Sequence, residues 1–232
     1  MSDPCGLLIF GAGGSGREIA AWAASASWAG RSFELLGFID DGLAGSAAAG
    51  QINGLPVYGL ADAAARFPGA CVTVAVGDPG LRERLVGQAL AAGLVAAPPL
   101  VHPSVELADG LVKLGEGVVI APGVIVTVNV ELGAHVQVNV HCSIMHDARI
   151  GVYATLSPAS RINGNVHVGD RAFIGSGAIT VNGYPGRPLR IGERAVVGAG
   201  AVVTRAVPAG VTVTGIPARV RAAREDDDPV SL

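Results

Sequence analysis

Leu114-Gly115-Glu116-Gly117-Val118-Val119-Ile120-Ala121-Pro122-Gly123-Val124-Ile125-Val126 decides the fold, because its aliphatic anchors fall six residues apart. The same step continues through Leu132, Val138, Ile144, Ile150, Leu156, Ile162, Val168 and Ile174. Four residues past each anchor stands a small or modest side chain: Val118, Val124, Val130, Val136, Cys142, Ala148, Ala154, Ser160, Val166, Ala172 and Ala178. A helix repeats every 3.6 residues and a strand every two, so neither produces this rhythm. One aliphatic and one small residue per hexad describe a chain coiling as a triangular prism, three hexads to a turn, with both positions facing a narrow interior. After Ile174 the rhythm slips at Thr180 and returns at Ile191, Val197 and Val203, followed at the small position by Ala195, Ala201 and Val207. The surplus residues, within Val181-Asn182-Gly183-Tyr184-Pro185-Gly186-Arg187-Pro188, have the Gly and Pro content of a loop thrown out from one corner.

The first hundred residues read differently. Leu7-Leu8-Ile9-Phe10 is a short apolar strand running into Gly11-Ala12-Gly13-Gly14-Ser15-Gly16, after which a helix begins. Leu35 to Ile39 is a second strand ending on Asp40-Asp41, and Val72 to Val76 a third ending on Gly77-Asp78 before a helix around Leu81 to Ala92. Alternating strand and helix implies a parallel sheet. Ala97-Pro98-Pro99 breaks the chain between halves. The expected organisation is an α/β half-Rossmann domain over 1–99, an all-β parallel β-helix solenoid over 100–220, and an acidic tail over 221–232 that contains Arg224-Glu225-Asp226-Asp227-Asp228.

The chain of 232 residues is 50% hydrophobic and 15% charged, with 34 glycines, which fits turn-rich globular domains. A formal net charge of -3 with scattered Lys and Arg argues against nucleic acid or an anionic membrane as partner. Cys5, Cys71 and Cys142 are odd in number and share no C-x-x-C spacing, so neither a disulfide framework nor a thiolate metal site is expected. A reducing cytoplasm fits, and no apolar run approaches the ~18 residues of a membrane span.

Gly11, Gly13 and Gly16 match G-x-G-x-x-G between a strand and a helix, the context in which backbone amides attract phosphate oxygens. The alternative is a purely structural tight turn. About a hundred residues provide one mononucleotide half, which suits a single nucleotide or a nucleotide-linked sugar better than NAD. Asp40 and Asp41 can then accept from ribose hydroxyls or base edges.

Of the five histidines, His146 in Ile144-Met145-His146-Asp147 lies outside the two core-facing positions of its hexad. An imidazole beside a carboxylate at a groove can be held in one tautomer and made a stronger base. A surface histidine beside a charge is the bland reading of the same residues. His141 and His146 also admit a metal reading similar to the gamma-class carbonic anhydrases, but a third ligand about two coils upstream of His141 would fall on Val105.

Taken together, the Gly11 to Gly16 loop, Phe38-Ile39-Asp40-Asp41, Gly77-Asp78, His102-Pro103-Ser104, the hexads, Ile144 to Gly151 and Gly215-Ile216-Pro217-Ala218 resemble the bacterial sugar acyltransferases of the NeuD and PglD type. The resemblance implies a left-handed β-helix, a homotrimer with coenzyme A between subunits, and acetyl transfer from acetyl-CoA to a nucleotide-linked amino sugar, UDP- or GDP-linked and 4-amino, in surface-glycan (lipopolysaccharide O-antigen) synthesis. It places the catalytic base on His146 and its acidic partner on Asp147, with no metal. It places sugar-nucleotide contacts on Gly13, Gly14, Ser15, Asp40, Asp41 and Gly77, and acetyl-CoA contacts on Asn139, Thr155, Gly164, Ser176 and Ala199. Relatives often carry His where this chain has Ser15 and Thr155, which alters both sets of contacts. Sugar O-acetylation of the sialic-acid type, a metal-dependent enzyme and a non-catalytic nucleotide-sugar binder are the competing readings.

Overall fold

The computed structural model describes residues 4–28, 31–44, 50–108 and 110–221; the acidic run 224–228 lies outside the described residues. The chain begins with β1 (Cys5–Phe10), α1 (Gly14–Ala23), β2 (Ser27–Trp28), β3 (Arg31–Ile39), β4 (Gln51–Ile52) and β5 (Leu55–Tyr58). There follow α2 (Leu60–Arg66), β6 (Cys71–Val74), α3 (Pro79–Ala91) and β7 (Val95–Ala96). One sheet runs β4-β5-β3-β1-β6-β7, with β2 paired to β3; all neighbours are parallel except the β4–β5 and β2–β3 pairs. β1 is apolar throughout because both faces of the sheet are covered. Leu7 and Ile9 pack with Ile19 and Ala23 of α1, while Leu8 and Phe10 pack with Ala63 of α2 and Val86 and Ala89 of α3. The reading from sequence found β1, β3 and β6 and missed the short β4, β5 and β7, whose few residues carry no clear period.

Cys5 and Cys71, which the odd count and spacing marked as unpaired, are joined by a disulfide between β1 and β6. Spacing along the chain carries no information on this, since β1 and β6 become neighbours only through the parallel crossover. Cys142 remains a free, buried thiol in the solenoid core.

From Leu100 onward the chain forms three sheets wrapped around one core. Partners lie one coil apart in register, as in Val119↔Gln137, Ile125↔Ser143 and Glu131↔Arg149. Ile120, Val138, Leu156 and Ile174 stack in the interior at 0–1% exposure, with Val136, Ala154 and Ala172 at 0%, as the six-residue pattern requires. Sharp corners are turned by residues in left-handed conformation at six-residue intervals, including His135, His141, Asp147, Tyr153, Ala159, Asn165 and Arg171. The expected slip at Thr180 is corrected: Thr180 keeps the core register against Val203, is 1% exposed, and its hydroxyl oxygen accepts the Asn163 amide. The insertion begins after it, as a hairpin in which Tyr184 and Arg187 exchange backbone hydrogen bonds of 3.1 and 2.9 Å. Among the described residues, no helix is long and apolar enough to cross a membrane.

One prism face packs against the N-terminal sheet through Val119, Gln137 and Thr155, all at most 5% exposed. Arg82 of α3 is 1% exposed and crosses this junction, donating to Val76 O at 2.6 Å, His135 O at 3.1 Å, Gln137 Oε1 at 3.2 Å and Ala154 O at 3.1 Å, and to Tyr153 O. Gln137 in turn donates to Val74 O at 2.7 Å. Burial pushes the Arg82 guanidinium down to about 9, still protonated at neutral pH, and its carbonyl partners satisfy it without a carboxylate in contact. A second clasp is the bidentate pair of Arg171 with Glu83.

Candidate active site

Met145, His146 and Asp147 turn one corner of the prism between Ser143–Ile144 and Arg149–Ile150. Asp147 takes φ 59°, a conformation that Asn and Asp tolerate better than most residues, and Asn129 and Asn165 stand at φ 58° and 55° one coil below and above. The Asp147 amide donates to Val128 O at 3.1 Å and the Asn165 amide to His146 O at 2.9 Å, so the backbone of the corner is held from both sides. On that frame His146 Nδ1 lies 2.9 Å from Asp147 Oδ2, while Asn129 Nδ2 donates to Asp147 Oδ1 at 3.1 Å. The hydrogen bond from His146, and then that from Asn129, hold the Asp147 carboxyl below the usual carboxylate range. An ionised carboxylate only accepts, so Nδ1 carries a proton, and in the neutral ring the lone pair therefore stands on Nε2. That is the tautomer a proton acceptor needs.

Gly164, one coil above, creates the seat for this ring. A Cβ there would lie 2.4 Å from both Cε1 and Nε2 of His146. His135 and His141 are seated alike, their rings lying where Gly117 and Gly123 lack a side chain. His135 is 7% exposed and stacked on Tyr153, with burial lowering its tendency to protonate. What sets His146 apart from both is the carboxylate on Nδ1; its ring, unlike that of His135, is half-exposed. Among the described residues no group of three His, Cys, Asp or Glu side chains approaches closely enough to hold a metal ion.

The glycine loop separates into two kinds of glycine. Gly11 has φ 105°, and a Cβ on Gly16 would meet Gly11 O at 1.8 Å, so these two build the turn. Gly13 and Gly14 meet nothing within 4 Å and stand exposed at the start of α1, where amides are open to an anion. Gly77 also meets nothing within 4 Å of a Cβ, but it is only half-exposed and its carbonyl accepts the Thr155 hydroxyl at 2.7 Å and Arg82 Nη1 at 3.3 Å. Asp40 braces the glycine loop: Oδ2 accepts the Ala12 amide and Oδ1 the amides of Gly42 and Leu43, each at 3.2 Å. Asp41 Oδ1 accepts the Leu60 amide at 2.8 Å, and among the described residues Oδ2 has no hydrogen-bond donor.

Ser15 and Asn139 come together in a largely apolar cavity of about 400 Å³ between α1 and the prism, whose lining includes Trp22 and Pro158. Ser176 and Ala199 continue the Asn139 corner upward and are exposed. Thr155 is not among them: it is 1% exposed and serves the junction of the two halves. Asp147 instead edges a second, polar groove of about 660 Å³ on another side of the prism, walled by the Tyr184 to Pro188 hairpin. Within one chain, therefore, the His146 corner and the Ser15–Asn139 cavity open on different edges. The reading from sequence missed Arg82, Asn129 and the seating role of Gly164; for Asn129, the recurrence of Asn or Asp at 129, 147 and 165 was the available signal.

The fold is that of hexapeptide-repeat acyltransferases. The PglD N-terminal domain family matches residues 6–89, and the hexapeptide repeat of succinyl-transferase matches residues 165–205. The chain is 38% identical over 214 residues to GDP-perosamine N-acetyltransferase of Escherichia coli O157:H7, covering 91% of this chain and 94% of that one. PerB from Caulobacter crescentus, solved with CoA and GDP-perosamine, superposes with a TM-score of 0.79 at 30% identity, covering 94% of this chain and 97% of that one. The acetyltransferase domain of PglB from Neisseria gonorrhoeae, solved with acetyl coenzyme A, gives a TM-score of 0.81 at 29% identity, covering 94% of this chain and 100% of that one. The chain belongs to the PglD-type sugar acyltransferases, left-handed β-helix enzymes that use acetyl-CoA as co-substrate.

Proposed function

We propose that this enzyme N-acetylates a 4-amino sugar carried on a nucleoside diphosphate, GDP-perosamine being the first candidate, with His146 as general base. The observation that carries the reading is the His146 Nδ1–Asp147 Oδ2 contact of 2.9 Å, which leaves Nε2 able to accept a proton at a half-exposed corner. The sugar nitrogen attacks the thioester carbonyl carbon and a C–N bond forms. Nε2 takes the proton that the nitrogen loses, and Asp147 stabilises the imidazolium. As the C–S bond breaks, the CoA thiolate leaves and takes that proton from Nε2. Backbone N–H groups of the coils are the donors for the transient oxyanion.

The N-terminal half, proposed as 1–99, supplies open amides at Gly13 and Gly14 and the free Asp41 oxygen for the nucleotide; the solenoid, proposed as 100–220, supplies the base. Because the His146 edge and the Asn139, Ser176, Ala199 edge are different corners of one prism, the reading includes a homotrimer in which one chain's base meets the acyl carrier and acceptor held by its neighbour. It also includes a cytoplasmic location and a role in O-antigen synthesis, by analogy with the GDP-perosamine enzyme.

The test is turnover of acetyl-CoA with GDP-perosamine by His146→Ala and His146→Gln, followed by thiol release. Loss of a general base costs about 10²–10⁴ in rate. Near-normal turnover by either variant rejects His146 as the base, whereas wild-type turnover of UDP-linked but not GDP-linked amino sugars rejects the acceptor.

A further inference from the structure

On the floor of the groove beside the dyad, the parallel register stacks Lys113, Glu131, Arg149, His167 and Arg190 in one file of outward-facing side chains. The lower half alternates in sign: Lys113 Nζ lies 3.1 Å from Glu131 Oε1, and Arg149 Nε 3.8 Å from Glu131 Oε2. The upper half does not. Arg149, His167 and Arg190 occupy consecutive rungs, ~4.8 Å apart in a sheet, and Arg190 has no ion-pair partner among the described residues. Arg149 and Arg190 flank His167 with no carboxylate between them in the file. The hexapeptide pattern constrains only the two inward positions, so packing does not demand this run of bases.

Two further observations point to an anionic ligand. The hairpin inserted after Thr180 overhangs this groove and presents the Tyr184 ring, 63% exposed, with the Arg187 guanidinium 5.8 Å from its centroid. Burial, and then the charges of Arg190 and Arg149, resist protonation of His167, a sign of the positive field at this end. The groove encloses about 660 Å³, and its far edge is Asp147 of the dyad.

We propose that this groove is a nucleoside-diphosphate site, in which Arg190 and His167 receive the phosphate oxygens and Tyr184 stacks on the base. The assignment rests on the acetyl-transfer reading only for the identity of the ligand, since both co-substrates, acetyl-CoA and the sugar nucleotide, carry a diphosphate joined to a base. A neutral His167 donates one ring N–H to a phosphate oxygen, and the planar Arg190 fork donates several.

Arg190→Gln is the test, because Arg190 is exposed and belongs neither to the dyad nor to the core. A KM for acetyl-CoA raised ~tenfold, the worth of one charge-assisted hydrogen bond, with kcat retained, makes CoA the occupant; the same rise in the KM for GDP-perosamine makes it the sugar nucleotide. Tyr184→Ala should raise the same KM. A second arm needs no turnover: GDP and coenzyme A are each titrated against wild type and Arg190→Gln, and the thermal midpoint is read, since a ligand of the native state raises it. At least one shift should shrink in the variant. If neither KM moves and both midpoint shifts equal those of wild type, or if only kcat falls, the site is refuted. Should the chosen acceptor not be turned over at all, the acetyl-transfer reading fails while the midpoint arm still decides the groove.

Discussion

Gly164→Ala adds one methyl group where the fold leaves room for the ring of His146, the proposed general base. The new Cβ would stand 2.4 Å from Cε1 and Nε2 and 3.0 Å from Cδ2 of His146. Carbon atoms rest at ~3.5–4.0 Å, so the imidazole must retreat by about 1 Å or rotate away from Asp147. Gly164 does not adopt a left-handed φ, so alanine suits the backbone, and the half-exposed ring can swing outward with little loss of buried contact. Stability should therefore fall by less than ~1 kcal/mol, within the range of changes that leave a core intact. A displacement of ~1 Å at the reacting group, by contrast, costs on the order of 10²-fold in rate. The measurements are kcat with saturating acetyl-CoA and acceptor, and the thermal midpoint of the same preparation. A variant with wild-type kcat would refute the seating argument, and one that loses several degrees of midpoint along with activity would show that the methyl disrupts the coil instead of the ring.

Arg82→Met should destabilise the fold by about 3 kcal/mol, since it strips the donor from Val76 O, His135 O and Tyr153 O, while Ala154 O keeps the Gln137 amide; chemical denaturation measures it. Thr155→Val removes only the hydrogen bond to Gly77 O and should cost about 1 kcal/mol, while a raised KM for the sugar nucleotide with an unchanged KM for acetyl-CoA would tie the Gly77 turn to the acceptor. The hydrogen bond from Arg171 holds the Glu83 carboxyl below its ordinary range. A carboxylate depressed in the folded state contributes stability above its unfolded value of ~4.3 and loses it as pH falls through the folded value. The midpoint should thus drop less steeply below pH ~4.3 in Arg171→Met than in wild type, which calorimetry across that range will show.

The six-residue rhythm made the solenoid legible because burial in a prism is a local, periodic property: an inward position stays inward whatever the rest of the chain does. The glycine loop was legible for the same reason, as a short stretch between a strand and a helix. Three features were not. His135, His141 and His146 all occupy corners, and their sequence contexts do not say that the first is buried under Tyr153 while the last keeps a free Nε2. Gly11 and Gly16 are sterically required where Gly13 and Gly14 lie open, a distinction that depends on atoms meeting across the turn. Thr180 breaks the aliphatic rule on paper, yet holds its place in the core because Asn163, one coil away, satisfies its hydroxyl.

The sequence by itself determined the two architectures, since the six-residue rhythm and the strand, glycine loop and helix order rest on spacing along the chain, and the family resemblance singled out His146 and Asp147 as the candidate pair. Only the tertiary structure decided the disulfide between Cys5 and Cys71, the crossing of Arg82 from one half to the other, and the basic rungs of Arg149, His167 and Arg190 beside the dyad. Each of these joins positions far apart in sequence, and their distance, burial and mutual charge exist only once the parallel strands have set the register.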